Sequence, residues 1–313
     1  MVDILCLGEP LLEFNEQQPG QYVRSIGGDV SNVAVAVARQ GGQAGMLTRM
    51  GQDSFADEIL QLWEREGIDT SRIIRDEEAP TGIYFISHGP SGHIFDYRRA
   101  GSASSCLKPG DLKKEHFENV KILHLSGISL AISDSACEAS LRAIELAKEN
   151  GVKISFDTNL RLKLWSLSRA KAIIQHVASL ADFVLPGLDD ARQLTGLENP
   201  QSIVDEYLKM GVEVVALTLG GDGVLLATRD GMREQIPGIP VKLVDATAAG
   251  DCFDGGFLTE WLRTKDLLQA ARYGNVAASL SVQHFGAVAS LPFREAVESN
   301  FVALELKGCL IYV

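Results

Sequence analysis

Short apolar runs alternate with helix-periodic segments along most of this 313-residue chain, and that rhythm narrows the fold more than any other feature. Apolar runs at 4–8, 45–49, 122–126, 153–157, 183–186, 214–219 and 223–228 read as core strands. Between and after them, 3.6-residue periodicity predicts helices over 31–40, 54–66, 133–149, 168–181, 188–194, 202–210, 251–264 and 265–284. Buried strands joined through helices require crossovers, so the expected class is α/β: a mainly parallel central sheet flanked by helices on both faces. Two stretches break the rhythm, 11–24 and 83–97. In the second, Ile83, Phe85 and Ser87 alternate with Tyr84 and Ile86 before a Gly89-Pro90-Ser91-Gly92 turn, which predicts a β-hairpin. Together these stretches are expected to form a small β-sheet lid, about 11–24 and 81–105, inserted in a single domain spanning 1–313.

Composition excludes several function classes. A formal net charge of −12 disfavours a nucleic-acid surface, because phosphate backbones demand clustered Lys and Arg. It also makes any local pair of arginines conspicuous. No apolar run approaches the ~20 residues that span a bilayer, so no membrane partner is expected. The five cysteines (Cys6, Cys106, Cys137, Cys252, Cys309) show neither C-x-x-C nor metal-ligand spacing. With no charged n-region before the first strand-like run, they read as reduced thiols of a cytoplasmic protein.

One stretch carries chemistry. In Val244-Asp245-Ala246-Thr247-Ala248-Ala249-Gly250-Asp251-Cys252-Phe253-Asp254-Gly255-Gly256-Phe257, small residues follow an apolar run, 239–244, that reads as a strand. They precede a helix pattern through Phe257, Leu258, Trp261 and Leu262. Small residues at a helix start leave its first amides open, and the helix dipole favours an anion there. Asp251 beside such a pocket would repel a phosphate unless it had work to do; taking a proton from a hydroxyl that attacks a bound phosphoryl group is that work. An ordinary first-turn carboxylate is the plain alternative.

Other residues suggest what binds. Tyr97 and Arg99 are two apart, so on an extended strand both face one side, with Tyr84 on the facing strand of the hairpin. Arg98 alternates to the other side and reads as a surface charge. Asp157-Thr158-Asn159-Leu160-Arg161 follows a buried strand, where α/β folds place ligand groups. Arg99 and Arg161 facing a cleft in an acidic chain suggest a substrate with its own carboxylate, which guanidinium holds in a planar fork.

The Asp251 stretch resembles the C-terminal signature of the PfkB-type (ribokinase-like) carbohydrate kinases, D-T-x-G-A-G-D-x-F, with Ala246 in place of the usual Thr and Ala248 in place of the first Gly. Gly27-Gly28-Asp29-Val30-Ser31-Asn32 is similar to the family's N-terminal G-G-x-x-x-N sugar-binding element, and the likeness runs through Gly51-Gln52-Asp53, Thr218-Leu219-Gly220-Gly221-Asp222-Gly223 and Asn275 to Gly286-Ala287. The resemblance implies a ribokinase-like fold and phosphoryl transfer from ATP with Mg²⁺, and leaves a monovalent cation open. It implies Asp251 as base, with Ala248, Ala249 and Gly250 forming the anion hole beside it. It places Gly28, Asp29 and Asn32 at the sugar, and Thr218, Gly220, Gly223 and Asn275 at ATP.

A closer likeness, to 2-keto-3-deoxygluconate kinases, lies in Thr81-Gly82-Ile83-Tyr84, Tyr97-Arg98-Arg99-Ala100-Gly101 and Asp157-Thr158-Asn159-x-Arg161. It implies that Tyr84, Tyr97, Arg99 and Arg161 bind a sugar acid. Glu13 departs from the aspartate ribokinases carry there. Where many members have N-x-x-E, this chain has Gly187-Leu188-Asp189-Asp190, so Asp190 becomes the candidate for the metal's water shell, and no direct protein ligand to a metal is assigned.

Rival readings are a fructokinase, ribokinase or nucleoside kinase of the same family, and a sugar-acid sensor without catalysis. A nicotinamide dehydrogenase is disfavoured, since the first strand leads into Gly8-Glu9-Pro10 and not G-x-G-x-x-G. A homo-oligomer formed through the lid is expected from its open sheet edges. The apolar 309–313 matches nothing in the resemblance; a terminal edge strand or an oligomer contact would account for it.

Overall fold

The structure, a computed structural model, describes residues 2–89 and 92–309. In chain order its elements are β1 (Ile4–Leu7), β2 (Leu11–Gln18), β3 (Gln21–Gly27), α1 (Asp29–Arg39), β4 (Ala44–Gly51), α2 (Ser54–Arg65), β5 (Asp69–Asp76), β6 (Ile83–Gly89), β7 (Gly92–Arg98), β8 (Ile122–Ser126), α3 (Gly127–Ala131), α4 (Asp134–Glu149) and β9 (Lys153–Asp157). There follow α5 (Leu167–Leu180), β10 (Phe183–Val184), α6 (Leu188–Thr195), α7 (Pro200–Lys209), β11 (Val214–Thr218), β12 (Gly223–Thr228), β13 (Arg233–Pro237), α8 (Ala249–Thr264), α9 (Leu267–Ser281) and α10 (Arg294–Cys309). Among the described residues the large sheet runs β13-β12-β11-β10-β9-β8-β1-β4-β5 and a separate small sheet runs β3-β2-β6-β7. The large sheet is parallel from β11 to β5, and β12 and β13 add to it antiparallel.

Strand alternation divides the interior in two. Leu5 and Leu7 of β1, Leu123 and Leu125 of β8, and Ile154 and Phe156 of β9 point into one core. Ile4, Cys6 and Ile122 point into the other, against Val33 and Val37 of α1 and Phe253 and Phe257 of α8. A sheet covered on both faces needs apolar residues at every position, and β1 (ILCL) meets that need.

The two strands absent from the expectation, β5 and β13, are the outer strands of the large sheet. Edge strands have a solvated side and carry charge, so DTSRIIRD and REQIP lack the apolar run that marks interior strands. The expected strand over 239–244 does not form. Pro240 has no amide to give a ladder, and Val241 and Leu243 are exposed, leaving irregular chain before α8. Helix α10 was likewise not anticipated, and α9 stops at Ser281.

The small sheet matches the excursion at its centre but not at its limits. β3 runs on to Gly27, and β7 stops at Arg98, after which 99–105 folds back with Ala103 N–H donating to Pro80 O. Within it β2 pairs with β6 in parallel, and β6 with β7 antiparallel in the register Tyr84 to Tyr97. Pro90 and Ser91 of the expected turn, and 310–313, lie outside the described residues. No helix among the described residues is long and apolar enough to cross a membrane.

Helices α1 and α8 meet through Gly255, where a Cβ would stand 2.5 Å from Ala36 Cβ and 3.1 Å from Val33 O. The Gly255→Ala variant should therefore lose about 1–3 kcal/mol by overpacking. Denaturant unfolding checks this, and an unchanged midpoint with an unchanged slope would show that the contact can relax.

Candidate active site

The C-terminal ends of β1, β8 and β9 open on a cavity of about 700 Å³, closed on its far side by the small sheet. Open α/β sheets bind ligands at this end of their strands, where helix N-termini also converge. Gly28, Asp29, Asn32, Tyr84, Tyr97, Arg99, Arg161, Ala248, Ala249, Gly250 and Asp251 all line this cavity. Residues separated by more than two hundred positions are thus collected in one place.

Two helix starts build its floor. Gly28 caps α1 with φ 102°, and a Cβ there would stand 2.4 Å from Glu9 O, so only glycine fits. One turn on, Asn32 Nδ2 donates to Asp251 Oδ2 at 2.8 Å. Ala248 caps α8 in the left-handed conformation (φ 60°, ψ 15°), at a cost of about 1–2 kcal/mol for a residue with a Cβ. Ala249 N–H is already engaged by Ala246 O at 3.2 Å, which shortens the expected row of open amides. At Gly250 nothing lies within 4 Å of where a Cβ would stand, so backbone there faces open space.

The electrostatics are those of crowded carboxylates. Burial, with Asp29 next, pushes Asp251 up to about 7, against the Asn32 hydrogen bond and Arg161, which pull it down. Burial and neighbouring carboxylates also drive Asp157 and Asp254 well above the usual carboxylate range. Asp29 is held by Ser126 Oγ and by Asn159 Nδ2 at 3.3 Å. His124 Nε2 lies 3.9 Å from Asp254 Oδ2, but burial drops the imidazole to about 3, so the ring is neutral and this contact is no salt bridge.

Both arginines of the cavity already have carboxylate companions. Arg99, nearly buried, places Nη1 2.7 Å from Glu9 Oε1 and stacks 4.1 Å over the Tyr97 ring. Arg161 is half-exposed and lies 3.7 Å from Asp190 Oδ2, which also accepts from Leu160 N–H. Arg98, by contrast, pairs with Asp96 on the solvent side at 2.5 Å. The Tyr84 hydroxyl donates to Glu13, whose other oxygen accepts from Ser25 Oγ at 2.7 Å. Both Glu13 oxygens are therefore spent within the small sheet, and Tyr84 offers the cavity its ring, stacked 5.4 Å from Tyr97.

Thr218, Gly220, Gly223 and Asn275 do not line this cavity. Thr218 ends β11 and bridges to Gly187, which does line it. Gly223, at φ 97°, would place a Cβ 2.1 Å from Ile236 O, and Asn275 Nδ2 donates to Pro237 O at 3.0 Å. Those two residues fix one segment at the end of β13. Beside it Leu188, Leu219, Gly221, Asp222 and Pro237 line a second hollow.

Sequence reasoning named Glu9 and Asp157 only in passing. The signal available was position: each is a carboxylate at the C-terminal end of a buried parallel strand.

Comparison with known proteins agrees with this architecture. The model of the pfkB family carbohydrate kinases matches residues 1–294. A 2-dehydro-3-deoxygluconokinase from Bacillus subtilis (strain 168) is 33% identical over 311 residues, covering 95% of each chain. One from Thermoproteus tenax is 32% identical, covering 97% of this chain and 95% of the relative. Among solved structures, a fructokinase from Vibrio cholerae O395 with fructose, ADP and calcium ion bound superposes with a TM-score of 0.87 at 28% identity, covering 96% of this chain and 98% of that one. With the ribokinase-like fold and most of its length matched, this chain belongs to the pfkB family of carbohydrate kinases.

Proposed function

We propose that the enzyme transfers the γ-phosphoryl group of ATP to the primary hydroxyl of 2-keto-3-deoxygluconate, giving the 6-phosphate. The observation that carries this reading is a buried carboxylate, Asp251, at the open N-terminus of α8, in one cavity with Arg99, Arg161 and Tyr97. The two relatives at 33% and 32% identity, both 2-dehydro-3-deoxygluconokinases, support the same substrate.

In this reading the sugar hydroxyl oxygen bonds to the γ-phosphorus, the bond to the ADP oxygen breaks, and Asp251 receives the hydroxyl proton. Asn32 aims the carboxylate. The open backbone at Gly250 and the dipole of α8 stabilise charge on the transferred group, with Ala248 setting the turn. Arg161 and Arg99 engage the sugar carboxylate, Tyr97 packs on Arg99, and Gly28 and Asp29 border the hydroxyls. The nucleotide runs from α8 towards Thr218 and the turn through Gly220 and Gly223, with Asn275 holding its wall. Among the described residues no three His, Cys, Asp or Glu side chains form a ligand set. Magnesium would be carried by the nucleotide phosphates, with Asp190 the candidate for its water shell, and would neutralise phosphate charge. The small sheet acts as the lid, keeping water from the phosphoryl group.

A second reading, a neutral-sugar kinase, draws on the observation that each arginine already has a carboxylate partner. Turnover of 2-keto-3-deoxygluconate, its galactonate epimer, fructose and ribose under equal Mg·ATP decides between them. Preference for the keto-acids is expected, and preference for fructose would move the assignment to the second reading.

Asp251→Asn should lower kcat by about 10²–10⁴-fold, the usual worth of a positioned base, with ATP affinity kept. Retained turnover would end the role of Asp251. A base must be unprotonated, so with Asp251 at about 7 in the free enzyme the acidic limb of kcat/KM should fall tenfold per pH unit below about 7. A flat kcat/KM between about pH 5 and 7 would contradict this. Arg161→Ala should raise KM for sugar acids about tenfold, as loss of a partly exposed charged hydrogen bond does, and leave neutral sugars unaffected.

A further inference from the structure

Glu9 has no task in the mechanism above, yet its placement gives it one. It follows β1, is 1% exposed, and lines the cavity beside Asp29 and Arg99. Its Oε1 is close to Arg99 Nη1, but neither carboxylate oxygen is aligned for a hydrogen bond, and Arg99 Nε is likewise without one. Such a pair has Coulomb attraction but lacks the hydrogen bonds that normally offset taking two charges out of water. The backbone at Glu9 is packed against Gly28, while the Arg99 guanidinium carbon sits 4.1 Å from the centre of the Tyr97 ring, so both partners are buttressed.

A sugar carboxylate that reaches Arg99 would put two buried anions on one cation, with Asp29 nearby as a third. We propose that Glu9 is a specificity-determining residue: in the empty site it is the counter-ion of Arg99, and it gives the guanidinium up to an acidic sugar by taking a proton from solvent. The inference rests on the sugar-acid reading and extends it. A neutral sugar leaves the Glu9–Arg99 pair undisturbed and takes up no proton there. The pocket thereby meets an anion without accumulating its charge.

The surroundings favour that proton. Facing Glu9 are Asp29 from α1, Tyr97 from β7 and Arg99 just after it, with Asp157 of β9, Arg161 and Asp251 of α8 across the cavity. Burial raises Glu9, Arg99 draws it back and Asp29 adds to the rise, leaving it at about 7. A second anion on Arg99 raises it further, so sugar acid and proton bind together. The sign follows: binding is at full strength below about 7 and weakens tenfold per pH unit as pH rises above it.

Isothermal titration of the full chain with 2-keto-3-deoxygluconate, at about pH 8 in two buffers of different ionisation enthalpy, reads the proton directly. Uptake approaching one proton is expected, lost in Glu9→Gln and retained in Glu9→Asp. KM for the sugar acid should rise about tenfold per pH unit above about 7 in the unmodified enzyme and stay flat in Glu9→Gln. Sugar-acid binding without proton uptake, or uptake undiminished in Glu9→Gln, would overturn the proposal while leaving the substrate reading intact. Should Glu9→Gln not fold, Asp251→Asn serves: uptake persisting there keeps the proton on Glu9, and uptake lost there moves it to Asp251 and overturns the assignment. Failure of any sugar acid to bind at any pH would instead remove the substrate reading, and this coupling with it.

Discussion

The hydrogen bond from Asn32 to Asp251 joins the starts of two helices that stand 219 residues apart in the chain. It exists because α1 and α8 pack backbone to backbone through Gly255, with Phe253 and Phe257 anchoring α8 against the sheet. That contact sets the floor of the cavity. It brings the start of α1 beside the start of α8, over the ends of β8 and β9. A buried carboxylate, a helix end whose dipole favours an anion and a polar wall then share one cavity.

That enclosure is hostile to charge, and the hostility is useful. Carboxylates at Glu9 and Asp251 are raised towards neutrality chiefly by burial, and Asp157 and Asp254 are driven well up by burial and then by neighbouring carboxylates, Asp251 among them for both. His124, neutral beneath them, does nothing to offset the negative field. A carboxylate near 7 is suited to taking a proton from a hydroxyl, since at neutral pH a large fraction of it is still unprotonated. Arg99 is balanced likewise by Glu9, so it does not stand as an unpaired buried cation before substrate arrives, while half-exposed Arg161 keeps part of its hydration beside Asp190.

Much of this was readable in advance, for reasons that differ by element. Strands β1, β8, β9 and β11 are buried on both faces, so their composition alone announces them. β5 and β13 escaped because edge positions accept charge, and the 239–244 stretch misled because apolar residues with a proline among them resemble a strand until hydrogen-bond partners are sought. Gly28 and Asp251 were legible from local rules, since a left-handed glycine and a first-turn carboxylate leave marks in sequence. The engagement of the Tyr84 hydroxyl by Glu13 was not, because it depends on β2 lying beside β6 in parallel.

From the sequence alone come the α/β class, the small-sheet excursion and the turn of small residues that opens a helix at Asp251, because periodicity, turn chemistry and helix-start chemistry are local properties. The pairing of Arg99 with Glu9 and of Arg161 with Asp190, and the proton affinities of the buried carboxylates, were decided only by the tertiary structure. Charge–charge energies depend on distance and on the exclusion of water, and both arise only when distant segments pack.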